Sequence, residues 1–255
     1  MDYTKIIKEI GRGKNHARDL DRQTAFELYQ AMLAGAVPEL ELGGILIALR
    51  IKGEAEEEML GFYQAMQQQV LPLQAPQGRP LPVVLPSYNG ARKQANLTPL
   101  LARQLGLRWR MGVRNSAHTL AKLATPFGEQ DALRLASVSH PEYVGRVASF
   151  FRQIGARGLL MHGTEGEAYA NPLRCPQIHY IAGGEQRVLL ERTLQDETPT
   201  LPAAKNAETT ARWTERCLAG EVAIPQAIQR QIACCLVAAG ESETLEQGLQ
   251  RLHQA

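Results

Sequence analysis

The chain has 255 residues, 44% of them hydrophobic, 21% charged and 5% aromatic, with a formal net charge of +2 at neutral pH. This is an ordinary globular composition, long enough to bury one or two cores, and it excludes disordered, fibrous and disulfide-dense classes. The longest apolar run, residues 42–49, is far short of the ~18 residues that a membrane span needs, and residues 1–20 hold no secretory h-region, so the expectation is a cytoplasmic protein with no membrane partner.

The first seventy residues read as helices. Asp21 is placed to cap one whose Ala25, Leu28, Tyr29 and Met32 share a face. Pro38 opens the next, where a missing N–H costs nothing, with Leu42, Ile45, Leu46 and Leu49 as its stripe and Gly53 as its stop. Residues 54–69 give a third, turning Met59, Phe62, Tyr63 and Met66 inward. Residues 70–82 carry four prolines and a glycine, which no helix tolerates. They divide the chain into an N-terminal helical domain (1–69), a linker (70–82) and an α/β domain with closing helices (83–255).

Beyond the linker, "VVLPSYNGARKQANLTPLL" (83–101) has the form of a phosphate-binding loop: a short buried strand, a tight turn at Gly90, then a helix. Asn89, Gly90 and Ala91 form the anion-binding turn, followed by Arg92 and Lys93 and by no carboxylate. Residues 113–124 read as a helix. Residues 140–155 form another, with Pro141 near its start and Val144, Val147, Phe151 and Ile154 packed. Residues 158–163 are a buried strand, and residues 178–191 a hairpin turning on Gly183 and Gly184. Helices near Asn206, after Pro225 and from Glu243 close the chain.

Charge is unevenly spread. Residues 91–158 hold eleven arginines and lysines against three acids, an excess of +8 that leaves the remainder at −6. Such asymmetry fits a polyanionic partner, or equally a basic face paired with acids elsewhere in the fold. Arg108, Arg110 and Arg114 surround Trp109, which is either a stacking surface or a core residue, and Lys122 follows. Near the N-terminus Arg12, Lys14, His16 and Arg18 form a second basic group. The four cysteines show no CxxC or Cys/His spacing and read as reduced thiols, with no metal expected. His118 and His162 lack partner spacing, and Ser116 with His118 has no nearby acid in sequence, so no catalytic residue is assigned.

Four segments in order resemble the anthranilate-phosphoribosyltransferase-like superfamily. Residues 41–66 resemble its N-terminal helical hairpin, and 87–99 its glycine-rich diphosphate loop. Residues 112–127 are similar to its GIRT-type stretch, and 159–170 to its VVHG strand and the loop beyond. The resemblance is nearest to a nucleic-acid-binding branch of that superfamily. It implies a nucleoside phosphorylase/phosphoribosyltransferase-like α/β fold with a helical N-terminal domain, and a homodimer formed through those helices.

Departures from the enzymes set the functional expectation. The diphosphate loop falls on Ser87, Tyr88, Asn89, Gly90 and Ala91, with one glycine of three and no acid. The magnesium-binding Asp-Glu pair falls on Ala168 and Tyr169, with Glu165 and Glu167 as nearby acids. Arg114 matches the arginine that holds the anthranilate carboxylate. A βαβ-sized portion with a lysine-histidine-glycine motif is missing between residues 105 and 112, so a shortened α/β domain is expected. The combined expectation is a DNA- or RNA-binding protein without sequence preference, cofactor or enzymatic activity. Its contacts are Arg92, Lys93, Arg108, Arg110, Arg114, Lys122, Arg12, Lys14 and Arg18. The alternatives are a glycosyl- or phosphoribosyltransferase with altered chemistry, or a protein-interaction module.

Overall fold

The structure, a computed structural model, describes residues 1–13, 15–77, 81–85, 111, 115–163, 168–194, 198–204 and 206–254. They fall in two compact units: residues 1–75 with 84–130, and residues 76–83 with 131–255.

The first unit opens, among the described residues, with α1 (Tyr3–Ile10), α2 (Arg22–Leu33), α3 (Glu39–Lys52) and α4 (Glu56–Gln67). Their ends are set locally. Asp21 accepts from the Thr24 amide at 2.8 Å and from its hydroxyl at 2.8 Å, and these bonds hold its carboxyl below the usual range. Gly53 ends α3 at φ +80°, a conformation that costs glycine little. The expected faces are the buried ones: Ala25, Leu28, Tyr29 and Met32 of α2, and Leu42, Ile45, Leu46 and Leu49 of α3. On α4, Phe62, Tyr63 and Met66 are buried and Met59 is half-buried.

Helices α2 and α4 meet closely. The Tyr29 and Phe62 rings stack with centroids 4.9 Å apart, and a Cβ added at Gly61 would come within 2.4 Å of the Arg22 carbonyl oxygen. Any side chain there forces the helices apart. Residues 115–130 join this unit. Ser116 donates to Glu54 (2.6 Å), Tyr63 to Glu129 (2.7 Å) and Gln67 to the Thr125 carbonyl (3.4 Å). The helix expected over 113–124 is here one turn, α5 (Ala117–Leu120), because the Asn115 side chain accepts from the Ala117 amide and fixes the start.

In the second unit, β2 (Leu133–Val138) and β3 (Arg157–His162) run parallel, joined by α6 (Glu142–Gln153). A tight antiparallel hairpin, β5 (Ile178–Ala182) and β6 (Glu185–Leu190), continues the sheet beside β3. Gly183 and Gly184 turn it at φ +59° and +79°, as a two-residue hairpin loop requires. With β1 (Val83–Val84) at one edge, the order is β1-β2-β3-β5-β6, while β4 (Arg174–Cys175) and β7 (Thr193–Leu194) form a separate ladder. The β1 strand differs from its expected buried character: Val83 is 42% exposed, as suits a short edge strand.

Both faces of β2 and β3 are covered. Leu133, Leu135, Leu159 and Met161 enter a core with Ala227, Cys234 and Ala238 of α8 (Gln226–Ala238). Alternation sends Arg134 and Gly158 to the other face. There α6 lies so close that a Cβ on Gly158 would meet the Phe151 ring at 2.7 Å, and the Arg134 guanidinium sits 5.8 Å from that ring's centre. On α6, Ala148, Phe150 and Phe151 are buried, and the expected Val144, Val147 and Ile154 are half-buried. Helices α7 (Ala207–Leu218) and α9 (Leu245–Gln254) complete the unit, α7 capped by the Asn206 side chain on the Thr209 amide at 2.8 Å.

Candidate functional site

Parallel strands bring their carboxyl ends to one edge, the usual place for a ligand in an α/β sheet. At this edge Gly163 N donates to the Val138 carbonyl (3.0 Å), and His162 Nε2 lies 3.1 Å from the Ser139 carbonyl. A carbonyl only accepts, so Nε2 carries the proton and the His162 ring is fastened across the two strand ends. At the start of α6 the His140 and Tyr143 rings are 6.1 Å apart, and the Arg146 guanidinium is 5.8 Å from the Tyr143 ring centre.

The loop leaving β3 returns to the described residues at Ala168. Gln231 of α8 is 7% exposed and serves that backbone in both roles: its Nε2 donates to the Ala168 carbonyl (2.7 Å) and its Oε1 accepts from the Ala170 amide (2.7 Å). A carboxamide carries a donor and an acceptor on separate atoms and so can do both at once. Gln231 therefore holds the backbone on either side of Tyr169, with a buried methyl at Ala168 and a 47% exposed phenol at Tyr169. They offer magnesium no carboxylate. Glu165 and Glu167 lie outside the described residues. Among the described residues no three His, Cys, Asp or Glu side chains converge as metal ligands.

Of the proposed polyanion contacts, Arg12, Arg18 and Lys122 fall in the described residues. Arg12 and Arg18 share one carboxylate, Glu9, at 2.8 and 3.5 Å, and both are well exposed, so this pair retains one uncompensated positive charge. Lys122 is half-buried just after α5. Lys14, Arg92, Lys93, Arg108, Arg110 and Arg114, and the turn residues Asn89, Gly90 and Ala91, lie outside the described residues. Arg134, counted in the basic excess, is 2% exposed, which takes it off the surface; Arg146 and Arg152 are exposed.

Ser116, His118 and the cysteines, the nucleophiles and bases weighed from the sequence, have the following surroundings. Ser116 Oγ donates to Glu54, while the buried His118 turns Nδ1 toward Asn115 (3.1 Å), so the two side chains serve different partners. All four cysteines are free and at least half-buried; burial pushes the Cys234 thiol up to about 12 and Cys235 to about 11, away from nucleophilic range. Gln231 was missed by the sequence reading. Its signal is a lone polar residue on the buried stripe Ala227, Gln231, Cys234, Ala238.

Comparison with known proteins places this geometry. The helical bundle domain of the glycosyl transferase family matches residues 4–70. The Escherichia coli (strain K12) protein YbiB is 55% identical over 319 aligned positions that cover 100% of both chains. An anthranilate phosphoribosyltransferase of Saccharolobus solfataricus is 39% identical over 76 residues, 30% of this chain and 21% of that one. In fold, the anthranilate phosphoribosyltransferase of Thermus thermophilus superposes with a TM-score of 0.71 at 21% identity, covering 98% of this chain and 93% of that one. The Saccharomyces cerevisiae enzyme in complex with PRPP and Mg gives 0.70 at 13% identity, covering 97% and 91%. The fold is thus that of the phosphoribosyltransferases, and with a relative so similar along its whole length the chain belongs to the YbiB family of the anthranilate phosphoribosyltransferase-like superfamily.

Proposed function

We propose that this protein binds DNA or RNA through the phosphate backbone, without sequence preference, and does not carry out phosphoribosyl transfer. The observation that carries the reading is the pair Ala168 and Tyr169, where a methyl and a phenol replace the metal-binding acids and Gln231 holds the backbone. Phosphoribosyl transfer depends on neutralising a departing diphosphate, and a site with no carboxylate at positions 168 and 169 is poorly equipped to recruit the metal that does so. A sequence excess of +8 over residues 91–158 has the opposite aptitude, for polyanions. No base-reading helix motif is present in the sequence, hence the proposed lack of sequence preference.

A second reading, a transferase with altered chemistry, is favoured by the fold itself, which superposes along nearly the whole chain on an enzyme seen with PRPP and Mg. Calorimetry separates the two. The proposal expects no magnesium-dependent heat of binding with millimolar phosphoribosyl diphosphate; saturable, magnesium-dependent binding would overturn it in favour of the transferase. The shortened α/β domain belongs to the same proposal. The alignment with YbiB runs 64 positions beyond the 255 residues of this chain while covering both proteins fully, which supports an internal gap.

The protein is further proposed to be a homodimer, in the cytoplasm; among the described residues no helix is long and apolar enough to cross a membrane. Support for the dimer comes from α3. Leu40 (85% exposed), Ile47 (37%) and Ile51 (60%) recur at intervals of seven and four, so they line one exposed face of the helix. Burying Leu40 against a second copy is worth about 1.5–3 kcal/mol, and Ile51 and Ile47, already partly covered, contribute less. Replacing Ile47 and Ile51 together by Glu is expected to halve the mass measured by light scattering while the helical circular dichroism stays unchanged. An unchanged mass would reject this seam.

A further inference from the structure

Helix α1 carries two lysines, Lys5 and Lys8, that the assigned contacts leave out and that lead to Arg12, already among them. Lys5, Lys8 and Arg12 are all exposed; Lys5 and Lys8, three residues apart, are neighbours on one side of the helix, and Arg12, two residues past its end, donates from Nε to the Lys8 carbonyl at 3.1 Å. The apolar residues Ile6 and Ile10 occupy the opposite, buried side. Two acids accompany them. Asp2 caps the helix by accepting from the Lys5 amide at 3.0 Å, and Glu9 is taken up by Arg12 and Arg18. Neither the Lys5 nor the Lys8 ammonium has an acid partner among the described residues.

The ridge has a defined neighbour. Ile7 lies against Gly44, where an added Cβ would sit 3.3 Å from Ile7 Cδ1, and a Cβ added at Gly11 would sit 3.9 Å from Ala48 Cβ, so α1 and α3 run side by side in the same direction. The basic ridge of α1 therefore borders the helix that carries the exposed apolar line of Leu40, Ile47 and Ile51. Unpaired ammonium groups on flexible stems at such a border do little for the stability of the fold. They can follow a flexible chain of phosphates without demanding a fixed geometry.

We propose that Lys5 and Lys8 of α1, with Arg12 just past its end, form a phosphate-contacting surface of this protein, and that it engages the backbone of a nucleic acid in addition to the basic segment at residues 92–114. The proposal rests on the nucleic-acid reading and adds a surface to it. The test is fluorescence anisotropy of a labelled, single-stranded, random-sequence oligonucleotide titrated with the full chain over a series of salt concentrations. Lys5→Ala/Lys8→Ala is the variant, and alanine on an exposed helix face preserves the helix.

If both lysines meet phosphates, the slope of log affinity against log salt becomes shallower by about 1.4, at about 0.7 per phosphate for a single strand. Lys5→Arg/Lys8→Arg, which keeps both charges, restores the wild-type slope. A wild-type protein that binds, paired with a Lys5→Ala/Lys8→Ala slope equal to its own, overturns the ridge alone and leaves the nucleic-acid reading in place. A wild-type protein that fails to bind at low salt overturns both.

Discussion

Replacing Glu58 by alanine is expected to destabilise the first unit by about 3–5 kcal/mol, the range for breaking a buried ion pair from one side. Glu58 is 0% exposed and its carboxylate accepts three bonds: from the Leu20 amide (2.9 Å), the Ala55 amide (2.7 Å) and Lys52 Nζ (2.7 Å). Lys52, its side chain 6% exposed, also donates to Asp19 (2.6 Å) and to the Gly53 carbonyl (2.9 Å). Two segments that enter helices are thereby tied to one carboxylate, the approach to α2 and the turn between α3 and α4. Alanine leaves two amides and part of an ammonium without partners, each a costly loss in a dry site. Glu58→Gln, which keeps an acceptor and loses the charge, is expected to fall between wild type and alanine. The midpoint of urea unfolding measures both.

The same pair gives a pH signature. Burial alone would lower the Lys52 pKa, but Asp19 and Glu58 outweigh it, and the value is raised above its ordinary one. A lysine raised on folding contributes stability that is complete below its unfolded value of about 10.4 and is lost as pH climbs through the folded value. Wild type should therefore lose more stability than Glu58→Ala between neutral pH and pH above about 10.4. An alanine variant within about 1 kcal/mol of wild type, with the same alkaline behaviour, would show that this cluster does not hold the segments together.

The second large effect concerns binding. Replacing Arg92, Lys93, Arg108 and Arg110 together by alanine is expected to weaken oligonucleotide affinity about 100-fold at moderate salt and to flatten the salt slope by about 2.8–3.6, for four phosphates at 0.7–0.9 each. These four residues make up half of the +8 excess over residues 91–158. The loss should be indifferent to oligonucleotide sequence, because backbone contacts carry no base information. Preference for one sequence in the wild type, abolished in the variant, would point to base readout instead. An unchanged slope would remove this segment from the interface.

Much of the helical unit was legible because its signals are local. Asp21, Pro38 and Gly53 set helix ends within a few residues, and the apolar intervals between them named the buried faces. The Gly183–Gly184 hairpin and the helix starts at Asn206 and Pro225 were legible for the same reason. Strand β2 was not. "LRLASV" places an arginine and a serine within a fully buried strand, and what makes Arg134 tolerable there includes the Phe151 ring, seventeen positions on. Nor did any local signal attach residues 115–130 to the helices, since that link rests on Ser116 with Glu54 and Tyr63 with Glu129, each more than sixty residues apart.

The candidate site divides along the same line. That the acids are absent at positions 168 and 169 is plain in the sequence; that Gln231 holds their backbone depends on α8 packing beneath the β3 loop. Arg12 and Arg18 were legible as a basic pair, but not as two cations on one glutamate. The basic count likewise overstated the surface by including Arg134.

The central claim is that a sugar-diphosphate fold now serves as a surface for nucleic-acid backbones. Anisotropy of a random-sequence oligonucleotide titrated with the wild-type protein at two salt concentrations tests it most directly. Tight binding at the lower salt that collapses at the higher, the same for unrelated sequences, is the expected result. Absence of binding at the lower salt would contradict it.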